Sequence, residues 1–126
     1  MKSINDNLLS VVLTLEIFSK IFKLKNINII IFSSIVAKKI ITDAPIEYSV
    51  AKSALNFYGK IIAKKYASNN VKINIISPGN ILLKNNNWSK RLKKNKKNTL
   101  KYIEKNVPSK NFCDPESIYK LIKIIL

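Results

Sequence analysis

Two short runs, INIIIFSS at 27–34 and VKINIIS at 71–77, are nearly all apolar and rich in β-branched residues. Without polar alternation, such runs suit strands covered on both faces, the habit of a parallel sheet. A parallel pair needs a crossover, and the chain between the runs supplies one. From Glu47 to Ala67, the apolar residues Val50, Ala51, Ala54, Leu55, Tyr58, Ile61, Ile62 and Tyr66 recur at helical spacing on what is read as the inner side. Gly59 sits in the middle of that helix, where glycine is about 1 kcal/mol worse than alanine, so close packing against a neighbour is its expected reason. SNN at 68–70 breaks the helix, and Pro78-Gly79 closes the second strand with a turn signal.

Around this unit the chain reads as helical. Leu8, Val11, Val12, Leu15, Phe18, Ile21 and Phe22 mark an amphipathic helix over about 5–22 that stops near Lys25-Asn26. Residues 35–46 form a loop, 88–106 a basic helical stretch, and Asp114-Pro115-Glu116 a capped helix start leading into KLIKIIL. The order helix, strand, helix, strand, helix, helix places residues 1–126 in the α/β class as one unit with no internal repeat. Two strands do not make an independent sheet, so neighbours are expected from other chains or from a larger domain.

Composition removes much of the catalytic repertoire. There is no histidine and one cysteine, Cys113, so Ser-His-Asp and Cys-His sites are excluded and a metal site is not expected. The formal charge of +16 invites a nucleic-acid partner. That reading is discounted, because Arg91 is the only arginine and the lysines are spread along the chain, the densest run being 89–101. Asp6 and Glu16 flank and interrupt the first apolar stretch, which argues against a signal peptide, and no segment offers the uncharged length of a membrane span. The chain is therefore read as cytoplasmic.

Without histidine, acid/base chemistry at neutral pH needs a perturbed group, and Tyr48-x-x-x-Lys52 is one way to make it. Positions four apart share a helix face, so the Lys52 ammonium can favour the Tyr48 phenolate electrostatically. Spacing alone does not decide the matter. With 5 Tyr and 23 Lys+Arg, roughly one such pair arises by accident, and Tyr119-x-x-x-Lys123 is a second copy. Context separates them, since Tyr48 opens a helix after a strand and loop, at the carboxyl edge of a parallel sheet where open α/β folds place ligands. Tyr119 lies in a terminal helix whose Leu121, Ile122, Ile124 and Ile125 read as core.

Several elements in order resemble the short-chain dehydrogenases/reductases, including the type that reduces 3-oxoacyl-(acyl carrier protein): IIIFSSIVAKK, IEYSVAKSALN, VKINIISPGNI, and upstream INDNLLSVVLTL. The resemblance implies a Rossmann-like, doubly wound parallel sheet and hydride exchange between NAD or NADP and a small carbonyl/alcohol substrate. By position it makes Tyr48 the acid/base and Lys52 its electrostatic support and a ribose ligand. It makes Ser34, with Ser33 as fallback, the substrate-oxygen partner, and Asn7 the anchor of a proton-relay water. Pro78, Gly79 and Ile81 would join Tyr48 and Lys52 in holding the cofactor, while Leu83 stands where the family often has a cofactor-contacting threonine.

The family's opening strand and glycine-rich turn have no counterpart here, since Gly59 and Gly79 are the only glycines. The chain thus reads as a partial domain that binds cofactor weakly by itself. The resemblance also implies a homo-oligomer through the helices at 5–22 and 47–67. The competing expectation is a non-catalytic chain that acts only as an association partner. Trp88 is open between a pocket wall and the buried side of a helix.

Overall fold

The structure, a computed structural model, describes residues 2–22 and 24–126; the side chain of Phe22, counted above on the first helix's apolar face, lies outside the described residues. The chain forms two compact units that meet in sequence at Ser77 and Pro78.

In the first unit, β1 (Ile27–Phe32) and β2 (Val71–Ile76) pair in parallel with Ile27 opposite Val71 and Phe32 opposite Ile76. The connecting helix is α2 (Ile46–Tyr66), and a helical segment precedes β1: a turn at Lys2–Ile4, a π-helical stretch at Asn5–Leu9, then α1 (Ser10–Phe22). Both strands start from an asparagine in the left-handed region, Asn26 at φ 52° and Asn70 at φ 56°. Asparagine tolerates that conformation better than other residues with a Cβ. The two are tied side by side, Asn70 Nδ2 donating to Asn26 Oδ1 at 3.1 Å and Asn26 N–H to Asn69 O at 3.0 Å.

The core lies where α2 crosses the sheet. Ala51 and Leu55 are fully buried, and Ile31, Ile62 and Val71 nearly so. Gly59 packs against the strands as expected: a Cβ there would lie 2.7 Å from Ile75 Cδ1 and 3.3 Å from Ile31 Cδ1. Three expectations are corrected. The strands are not covered on both faces; β1 is mostly half-exposed and Phe32 is exposed, because the described residues provide only two strands. Val50 and Ile61 point outward from α2, since the apolar stripe of this helix is wider than the surface it covers. Ser33 and Ser34 lie past the end of β1, which stops at Phe32.

The second unit holds α3 (Asn87–Lys94), α4 (Lys96–Asn106) and α5 (Pro115–Ile125). The basic stretch is two helices rather than one, because Asn95 ends the first and its side chain caps the second by accepting from Asn98 N–H at 3.0 Å. Thr99 and Ile103 are buried. Trp88 packs on Tyr102 and edge-on to Phe112, with Arg91 over the Trp88 ring at 4.9 Å, so it serves this cluster. Ile81 bridges Cys113 in parallel. Pro115 opens α5, but Asp114 makes no side-chain cap, and Leu121 and Ile124 are exposed rather than core. Among the described residues no helix is long and apolar enough to cross a membrane.

Candidate functional site

Pro45, extended at ψ 131°, directs the chain into α2, so Tyr48 falls in its first turn and Lys52 one turn on. The shared face is real: Lys52 Nζ lies 5.8 Å from the Tyr48 ring centroid. Tyr48 is half-buried and Lys52 buried. The ammonium donates to the backbone carbonyl of Phe32 at 2.9 Å, which fixes it at the carboxyl end of β1. Burial holds the Lys52 pKa below its usual 10.5.

The serines beyond Phe32 divide their tasks. Ser33 N–H continues the ladder to Ile76 O at 2.8 Å, and its hydroxyl donates to Lys52 O at 3.3 Å, clamping α2 to the strand. Ser34 is buried, and its oxygen accepts from Val36 N–H at 3.4 Å, an arrangement in which its hydroxyl proton can still be donated. Asn7 lies in the π-helical stretch, where Asn5-Asp6-Asn7 are three poor helix formers in succession. Its amide donates to Ser3 O at 2.9 Å. Asn7 and Lys52 line one cavity of about 480 Å³ together with Val11, Thr14, Leu15 and residues 29–32 of β1.

A larger cavity of about 680 Å³ lies beside the loop after β1 and is lined by Val36, Ile41 and Ser53 among others, but neither Tyr48 nor Lys52 reaches it. Tyr48 and Ser34 line neither cavity, while the smaller one holds Asn7 and Lys52. Sequence reasoning missed that cavity and the π-helical turn beside it, although the three poor helix formers were a signal. Pro78, Gly79 and Ile81 belong to the second unit, where Gly79 has open space in place of a side chain. Tyr119 has Lys123 Nζ 5.6 Å from its ring, nearly the Tyr48 distance, but is exposed.

Because the Lys52 ammonium is disfavoured by burial, the native state binds fewer protons than the unfolded chain between the lowered pKa and 10.5. Stability therefore rises with pH across that window. Tyr58, raised by burial and by Glu16 and Tyr66, acts oppositely, its contribution falling as pH climbs past 10.0. Subtracting a Lys52→Met variant isolates the first effect: urea midpoints measured up to pH 10.5 are expected to converge on, then favour, the wild type as pH rises. A constant difference would remove the burial cost.

The family model described as Enoyl-(Acyl carrier protein) reductase matches residues 1–126. A 4-hydroxyisoleucine dehydrogenase complexed with NADH superposes with TM-score 0.75 at 21% identity, covering 95% of this chain and 48% of that one. An L-sorbose reductase from Gluconobacter frateurii complexed with NADPH and L-sorbose gives TM-score 0.66 at 29% identity, covering 75% of this chain and 38% of that one. The chain thus spans less than half the length of these structures. No curated protein matches it.

Proposed function

We propose that this chain, which belongs to the short-chain dehydrogenase/reductase family, carries the proton-handling part of an NAD(P)-dependent oxidoreductase acting on a carbonyl/alcohol pair. One observation carries the reading: a buried ammonium fixed at the end of β1 lies 5.8 Å from the ring of a half-buried tyrosine. In this reading the Tyr48 hydroxyl gives its proton to the carbonyl oxygen as that oxygen gains negative charge, and Lys52 favours the phenolate left behind. Ser34 donates a hydrogen bond to the same oxygen. Asn7 orders water beside Lys52, in the cavity the two share, so that protons reach Tyr48 from solvent.

A nicotinamide, when bound, supplies the hydride or accepts it. Two features fit its ribose end: the Lys52 ammonium, and Ser77 Oγ at the end of β2, which is buried with no hydrogen-bond partner among the described residues. For the pyrophosphate these 126 residues hold no glycine-rich turn. The chain alone is accordingly expected to show no saturable micromolar binding of NADH or NADPH in a fluorescence titration. Tight binding by the pure chain would overturn the division of labour proposed here.

The exposed stripes Leu13, Ile17 and Ile21 on α1 and Val50, Phe57 and Ile61 on α2 favour association of copies through these helices. They equally suit the second reading, a chain acting only as an association partner. We assign the working assembly to the cytoplasm, where the thiol of Cys113 stays reduced.

A further inference from the structure

We propose that Ser33 is the positioning residue for the amine of Lys52: its hydroxyl closes a ring of contacts that fixes the ammonium at the carboxyl end of β1, and it acts on turnover only through that amine. The effect on turnover rests on the roles proposed above for Lys52 and Tyr48; the ring itself does not.

Two consecutive residues at the strand end grip both ends of one lysine. The Lys52 ammonium donates to Phe32 O at 2.9 Å, and the Ser33 hydroxyl donates to Lys52 O at 3.3 Å. Phe32 O belongs to the peptide that joins Phe32 to Ser33. The path from Lys52 O along the lysine stem to Nζ, across to Phe32 O, through that peptide to Ser33 Oγ and back to Lys52 O is therefore closed. The peptide in it is planar and stiff, and its N–H is tied to β2 by the bond to Ile76 O at 2.8 Å. The flexible stretch is the four-carbon stem of Lys52, which left to itself would let the ammonium take many positions. Closing the ring leaves it few.

The Ser33 bond is not needed to satisfy the carbonyl it meets. Inside α2, Lys52 O already accepts the backbone N–H one turn further on. At 3.3 Å the bond is also long for a hydroxyl donor, so losing it costs the fold little. What it supplies is a fixed distance between the sheet and the turn of α2 that bears the amine, with the Tyr48 ring 5.8 Å from Nζ. Ser33 and Lys52 are 6% and 9% exposed, which leaves bulk water little access to replace the contact. By sequence Ser33 is the fallback partner of a substrate oxygen. In the structure its one hydroxyl proton is given to Lys52 O, so that task stays with Ser34.

The test reads the ammonium directly, in the full chain carrying nitrogen-labelled lysine in mildly acidic solution. The Lys52 signal is identified by its loss in a Lys52→Met chain. Ser33→Ala is expected to speed proton exchange from that ammonium by about fivefold or more with a urea midpoint near wild type, and Ser34→Ala to stay within about twofold of the wild-type rate. An unchanged rate in Ser33→Ala, or equal acceleration by the two variants, would remove the ring as the cause. Should Ser33→Ala not fold, Ser33→Cys, of similar size and a weaker donor, takes its place and must show the same acceleration.

A second arm separates positioning from the chemistry. In an assembly that reduces a ketone with NADH or NADPH, Ser33→Ala is expected to lower turnover by about fivefold to twentyfold when Tyr48 is present, and by less than about twofold when it is added to Tyr48→Phe. Equal losses in both backgrounds would give Ser33 a route to the reaction that bypasses the amine, and the proposal would fall. If Tyr48→Phe alone left turnover unchanged, the proposed function would fail, and faster exchange in Ser33→Ala would still establish the ring.

Discussion

Replacing Tyr48 by phenylalanine is expected to lower ketone turnover by about 10²–10⁴-fold in any assembly of this chain that reduces a ketone with NADH or NADPH. The substitution removes one oxygen and keeps the ring, so the packing of Lys52 against it at 5.8 Å survives and the loss reports proton transfer. In free energy this is about 2.7–5.5 kcal/mol of transition-state stabilisation. Tyr119→Phe is the matched control, because Tyr119 has its own lysine at 5.6 Å yet stands exposed on α5. It should leave turnover unchanged. Tyr48→Phe activity within threefold of wild type, or equal losses from the two variants, would take Tyr48 out of the chemistry.

The second large effect concerns the crossing of α2 over the sheet. Gly59→Val is expected to destabilise the fold by about 2–4 kcal/mol, read as a lowered urea midpoint. A Cβ at this position already meets Ile75 Cδ1 at 2.7 Å and Cγ1 at 3.2 Å, with Ile31 Cδ1 at 3.3 Å on another side. Valine adds two methyls that must enter the same seam. Its better helix propensity returns less than about 1 kcal/mol. Gly59→Ala should be much milder, because the far end of Ile75 can rotate away. If valine matched wild type, the close approach of helix to strands would not be a packing constraint.

Much of this arrangement was legible in the sequence, for identifiable reasons. The two β-branched runs and the 3.6-residue rhythm between them specify a parallel crossover, and a glycine inside that rhythm predicts its own tight contact. Tyr48 and Lys52 share a face because helical spacing requires it. Periodicity failed where apolarity serves a surface rather than a core, as at Val50, Ile61, Leu121 and Ile124, since hydrophobic spacing cannot tell a partner from an interior. It failed again at 89–101, where lysine and asparagine leave no rhythm and the break is made by one capping side chain at Asn95. The carbonyl partner of Lys52 and the cavity it shares with Asn7 depend on contacts between distant segments, which local pattern does not encode.

The paired asparagines that open β1 and β2 act at a distance from where they sit. A slide of one residue between the two strands would shift Phe32 by about 3.3 Å and turn its side chain to the opposite face. The Asn26–Asn70 bond anchors the starting ends, and equal strand lengths carry that alignment to the far ends, where Ser33 meets Ile76 and Lys52 meets Phe32. Two amide side chains remote from every proposed reacting atom thereby act as the datum from which the position of the amine is measured.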